Sequence, residues 1–113
     1  MAFSQLEYDN DVVRVSACGH VEASEVELIL MSVRDYAESV YGAAVDVVID
    51  ARLVEFITTG ARIAFAEGGS QPFLNGIHFQ QCDSLLAQTI RTIQLLAPRA
   101  RIDVEDNAPA RYA

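Results

Sequence analysis

The chain has little positive charge. Eight lysine and arginine residues stand against sixteen aspartate and glutamate, giving a formal net charge of −8. Binding to nucleic acid without sequence preference needs clustered lysine and arginine, so no nucleic-acid partner is expected. Anionic membrane surfaces are disfavoured for the same reason. A basic protein partner fits this balance, and so does the need for solubility alone. Long apolar runs are also missing. A membrane-spanning helix takes about 20 apolar residues, and the runs here are far shorter. The opening segment, Met1 to Glu7, lacks a basic stretch followed by an apolar one, so no signal peptide is read. The expectation is a cytoplasmic protein with no membrane insertion.

Residues that carry chemistry are scarce as well. There are two cysteines and two histidines. Cys18 and Cys82 form no CxxC pair and are expected as free thiols packed as small hydrophobes. Cys18-x-His20 and His78-x-x-x-Cys82 contain zinc-ligand types, but pairs this short arise by chance and structural zinc shows tighter motifs. No metal and no cofactor are expected. There is no G-x-S-x-G elbow, no glycine-rich P-loop and no G-x-G-x-x-G. Asp46 and Asp50 share one strand face, with nothing beside them in sequence to support acid–base work. No catalytic residue is assigned.

What the chain does have is a clearly punctuated α/β pattern. With 113 residues, 51% hydrophobic and 21% charged, it fits a single globular domain, 1–113, large enough for a core. Leu6 and Tyr8, the turn residues Asp9-Asn10-Asp11, and alternating Val13, Val15 and Ala17 predict a hairpin that ends at Gly19. Ser24 and Glu27 have capping-box spacing. Val26, Ile29, Leu30, Val33, Ala37 and Val40 mark a helical stripe, and Gly42 is the expected stop. Leu28 and Met31 fall off that stripe, as scattered surface apolars or as a contact face. The run from Ala44 to Asp50 predicts a central strand buried on both faces. A short helix from about Gly60 to Glu67 stops at Gly68-Gly69. A turn-rich loop, Ser70–Gly76, carries Phe73 and Leu74, either as a plug on the body or as a docking patch. Ile77–Cys82 predicts a fourth strand with one polar face. A third helix begins near Asp83 or Ser84 and ends before Pro98. Ile102 and Val104 mark a fifth strand, and 106–113 reads as a tail with Tyr112 docking. The order β-β-α-β-α-β-α-β predicts a mixed β-sheet of about five strands packed against three main helices.

The informative junction is Val47 to Arg62. An apolar strand ends at Asp50, a short connection follows, and Thr58-Thr59-Gly60 opens the second helix. Hydroxyls at a helix start sit where backbone N–H groups point outward and negative charge is welcome. One reading is simple N-capping. The other is a phosphorylatable switch at Thr58, with Thr59 as cap and Arg62 as charge partner.

With these elements in this order, residues 11–105 resemble the STAS domain family, the fold of bacterial anti-sigma factor antagonists. The resemblance rests on Gly19-His20-Val21, the amphipathic helix, Val48-Ile49-Asp50-Ala51 and Phe56-Ile57-Thr58-Thr59-Gly60. In the family the last segment typically reads apolar, Asp, Ser, Ser or Thr, Gly, Leu. The first hydroxyl residue there is the phosphorylation site, which falls on Thr58. Ile57 stands where the family has Asp, and Ala61 where it has Leu. Ala97-Pro98-x-x-Arg101-Ile102-Asp103-Val104 also resembles a divergent STAS-like group without the phosphorylation motif. The resemblance implies a non-enzymatic protein-binding module whose partner is an anti-sigma factor or related regulator, contacted through Thr59, Gly60, Arg62, Phe73 and Leu74. Two alternatives stand beside it. One is a scaffold or homo-oligomer using Leu28, Met31 or Phe73. The other is a small-ligand or catalytic pocket near Asp50, Thr58 and His78.

Overall fold

Period-two alternation builds the sheet. In β2 (Val12–Val21) Val13, Val15 and Ala17 are buried while Arg14, Ser16 and Cys18 are exposed. In β3 (Val45–Ile57) Val45, Val47, Ile49 and Ala51 are buried, and Asp46, Val48 and Asp50 between them are half-buried. β1 (Glu7–Asp9) pairs antiparallel with β2, and β2, β3, β4 (Leu74–Cys82) and β5 (Ile102–Asp106) run parallel in that order. Three helices cover one face: α1 (Ala23–Tyr36), α2 (Thr59–Gly68) and α3 (Ser84–Leu96). The structure, a computed structural model, describes residues 2–106. The expected docking of Tyr112 lies outside the described residues.

The apolar stripes of the helices meet the buried sheet face in one core. α1 contributes Val26, Ile29, Leu30 and Val33, and α3 contributes Leu86, Ala87, Ile90 and Ile93. Phe65 of α2 meets Phe79 of β4 edge to face, with ring centroids 5.1 Å apart, an arrangement that adds roughly 1 kcal/mol beyond area burial. The five-stranded mixed sheet with three helices is the architecture expected from the element order.

The strand and helix boundaries differ in places, each for a local reason. β2 does not stop at Gly19. It passes through that residue, whose φ of 65° suits glycine, and ends at Val21. The capping box of α1 is formed by Glu22 and Glu25, not Ser24 and Glu27, and the helix begins at Ala23, directly after the strand ends at Val21 and Glu22 caps it. A π-helical turn, Ala37–Tyr41, continues α1 before Gly42 stops it in the left-handed conformation. β3 is not buried on both faces. Its second face, with Asp46, Val48, Asp50, His78 and Gln80, stays partly open, unlike most parallel sheets. Nor does β3 end at Asp50. It takes two extra residues relative to β2, one between Asp50 and Leu53 and one between Val54 and Phe56. These bulges break the alternation and leave Leu53 and Phe56 exposed. In β4, Gln81 has φ 62°, which turns Cys82 into the core and Gln81 outward, reversing the expected alternation at that end. Cys82 packs as a buried thiol, whereas Cys18 is exposed rather than packed.

Candidate partner-binding site

The overhanging end of β3 leads straight into α2, and Thr58 occupies the junction. Its backbone is extended, its N–H donates to the Val21 carbonyl at 3.1 Å, and its Oγ1 accepts the Ala61 N–H at 3.1 Å. Thr58 is therefore the N-cap of α2, and the expected division between Thr58 and Thr59 changes. Thr59 is the first helical residue and is exposed, while Thr58 is half-buried. The capping role and the candidate switch fall on one hydroxyl.

The neighbours of that hydroxyl are now defined. Arg62 donates its Nε–H to the Ile57 carbonyl at 2.9 Å, and its guanidinium lies 5.4 Å from the centre of the Phe56 ring. Phe56 in turn lies 5.8 Å from the His20 ring, its cross-strand partner. Gly60 is exposed, and a Cβ there would lie 3.2 Å from the Ala23 Cβ. The starts of α1 and α2 thus converge, and a small residue allows it. Ile57 and Ala61, the two departures from the family pattern, are 2% and 0% exposed. Both are core residues, so position 57 places no carboxylate beside Thr58.

A groove of about 320 Å³ runs between α2 and α3. Thr59, Arg62, Ile63, Ala66, Thr92 and Leu96 are among its walls. Ile63 and Leu96 leave 54% and 81% of their surface uncovered. A continuous rim of Phe56, Thr58, Thr59 and the groove results, with apolar side chains open to a partner.

Phe73 and Leu74 are not part of that rim. Leu74 is the first residue of β4 and is 2% exposed, so it cannot offer a docking surface. Phe73 is half-buried and lines a separate groove between α1 and α2, together with Met31. It follows the C-terminal end of α2, about 15 Å of helix away from Thr58.

The proposed pocket of Asp50, Thr58 and His78 is not assembled either. Measured along its β2 partners Ser16 to Val21, the run of β3 from Asp50 onward puts Asp50 roughly 20 Å from Thr58. Asp50 lies in mid-strand on the open sheet face, where its carboxylate accepts the Arg52 N–H at 3.0 Å. It lines a groove of about 260 Å³ with Ser4, Glu7, Arg14, Ser16 and Gln80, without His78.

His78 has other partners, which sequence reasoning missed. Its Nε2 is 2.8 Å from Asp46 Oδ1 and its Nδ1 is 2.8 Å from Asp103 Oδ2. Asp103 stands directly opposite on β5, while Asp46 lies diagonally across on β3. Gly76 explains the diagonal reach. It faces Asp46 in the register, and a Cβ on it would come within 3.2 Å of the His78 ring. Burial lowers the His78 pKa, but the hydrogen bonds and negative charges of Asp46 and Asp103 outweigh it, and the net effect is a raised value. Among the described residues no cluster is suited to hold a metal ion. Asp46 and His78 are visible in sequence, yet only the parallel β4–β5 pairing brings Asp103 to them.

Compared by sequence, the chain matches no family model and no curated protein. Compared by structure, it is similar to the anti-sigma factor antagonist SpoIIAA in its unphosphorylated form. The TM-score is 0.59 at 14% identity, over 80% of this chain and 82% of that one. The fold is STAS-like. A second similar structure is an uncharacterised DUF3478-family protein from Shewanella loihica PV-4, itself with a SpoIIAA-like fold. It gives a TM-score of 0.57 at 13% identity, over 92% of this chain and 84% of that one. Among the described residues no helix is long and apolar enough to cross a membrane.

Proposed function

We propose that this chain is a non-enzymatic regulatory module that binds a protein partner through the start of α2. The observation that carries the reading is the placement of Thr58. Its hydroxyl caps α2 beside uncovered Phe56, Ile63 and Leu96 and beside the α2/α3 groove. The fold similarity to an anti-sigma factor antagonist makes an anti-sigma factor or related regulator the proposed partner. Phosphorylation of Thr58 is the proposed switch. A phosphoryl group there meets the N–H groups at the start of α2 and the Arg62 guanidinium, so the fold tolerates it. It also adds up to two negative charges and bulk to an apolar rim, which disfavours a partner fitted to the free hydroxyl.

The test uses the partner captured from the source organism with the wild-type chain, followed by titration of variants. Thr58→Ser keeps the hydroxyl and the cap, and binding is retained. Thr58→Glu mimics the charge, and binding weakens. Mass spectrometry of the chain purified from its source reads whether Thr58 carries phosphate.

A second reading, a homo-oligomeric scaffold, is favoured by Leu28 and Met31, which are 55% and 54% exposed on α1. Sedimentation distinguishes it, since a stable oligomer dispersed by Met31→Glu supports the scaffold and a monomer removes it.

A further inference from the structure

At the far end of α1 from Thr58, three tyrosine rings form a row. Tyr8 of β1 lies 4.5 Å from Tyr36 between ring centroids, and Tyr36 lies 6.3 Å from Tyr41 with planes only 16° apart. The π-helical turn makes this possible. Residues five apart on an α-helix point about 140° away from each other, whereas the wider π turn returns the fifth residue near the same face. The hydroxyl of Tyr36 donates to the Asn10 carbonyl at 2.7 Å and fixes the middle ring to the β1–β2 turn. Tyr8 and Tyr41 remain 45% and 41% exposed, and Val40 beside them 74%. A shallow groove of about 600 Å³ lies beside the Tyr8 and Tyr36 rings, with Ser32, Asp35, Ser39 and Val40 completing its lining and Tyr41 outside it.

The charge around the row has one sign. Asp9 and Asp11 flank the turn that anchors Tyr36, and Asp35 lines the groove with the ring, while Glu38 lines a separate groove with Pro72 and Phe73. All four are exposed, and the ion pairs among the described residues lie elsewhere. Arg34, the cation on this helix, lines the groove on its other side, facing α2. Electron-rich ring faces next to unpaired carboxylates attract a guanidinium. An aromatic strip suits a preformed polyproline II segment, which loses little entropy on docking.

We propose that the Tyr8–Tyr36–Tyr41 row is a docking surface for a proline-rich, arginine-bearing segment of another protein. It lies at the opposite end of a 14-residue helix from the start of α2, about 20 Å away. Its occupation is therefore independent of Thr58.

The test is a titration of the full chain with three synthetic peptides. One carries arginine and proline, one has each arginine replaced by glutamine, and one has each proline replaced by glycine. The chain has no tryptophan and four tyrosines, so intrinsic emission reports mainly on this row, and amide shifts in NMR locate the site. The arginine–proline peptide is expected to bind with shifts at Tyr8, Tyr36 and Tyr41. Either replacement is expected to weaken it by roughly fivefold or more. In the protein, Tyr8→Ala and Asp35→Asn are expected to weaken it similarly, with Thr58→Glu unchanged. Equal binding by all three peptides, shifts located elsewhere, or no binding overturns the proposal. So does self-association of the chain through the row, abolished by Tyr8→Ala, which makes a second copy the occupant.

Discussion

At the residue scale, the account turns on single polar atoms. Thr58 Oγ1 satisfies the Ala61 N–H, so Thr58→Ala is expected to lower stability by about 1 kcal/mol, while Thr58→Ser stays within a few tenths. Thermal melts of the three proteins check this. His78 makes a second prediction. A neutral imidazole has one N–H, so it cannot donate to Asp46 and Asp103 together, whereas the imidazolium can. Its folded pKa is raised. The stabilisation is therefore complete below the unfolded value, about 6.5, and fades as pH rises through the higher folded value. Urea midpoints of wild type and His78→Gln are expected to differ most on the acid side of that window and to converge above it. A difference that grows with pH contradicts the clamp.

At the element scale, the fold was largely legible because most elements are amphipathic with clean periods. α3 starts at its aspartate cap and shows the expected stripe. β5 falls where Ile102 and Val104 alternate with charged residues. What escaped were the irregular places. Arg52 to Phe56 resembles a connection because two bulges destroy the alternation while the strand continues. The π turn has no separate signature from α1, and the partners of His78 depend on pairing between distant strands. The candidate site was legible in part. Thr58 and the helix start were readable from hydroxyls before a helical run, but Leu74 was misplaced because a strand start adjoins its turn. Ile57 shows how local pattern and core compete. It occupies the position of an aspartate in the STAS motif, yet is 2% exposed. Ile57→Asp is expected to destabilise the chain by about 3 kcal/mol or more, since the carboxylate would be buried unpaired. Urea unfolding checks this, and a near-neutral effect would mean that the end of β3 is open to water.

At the scale of the whole molecule, the helices fill one face of the sheet, and besides the α1/α2 groove three surfaces of different chemistry stand open. The start of α2 with the α2/α3 groove is apolar and carries the capping hydroxyl of Thr58. The open sheet face is polar and internally bonded through His78. The tyrosine row at the end of α1 is aromatic and acidic. The first and third lie at opposite ends of α1. Partner binding at the first is read by one calorimetric comparison. The captured partner is titrated with wild type, Thr58→Ser and Thr58→Glu, all confirmed folded. Thr58→Ser is expected to bind within about threefold of wild type, and Thr58→Glu roughly tenfold more weakly or worse, a loss of about 1.4 kcal/mol. Equal affinity for all three proteins would contradict the proposed switch.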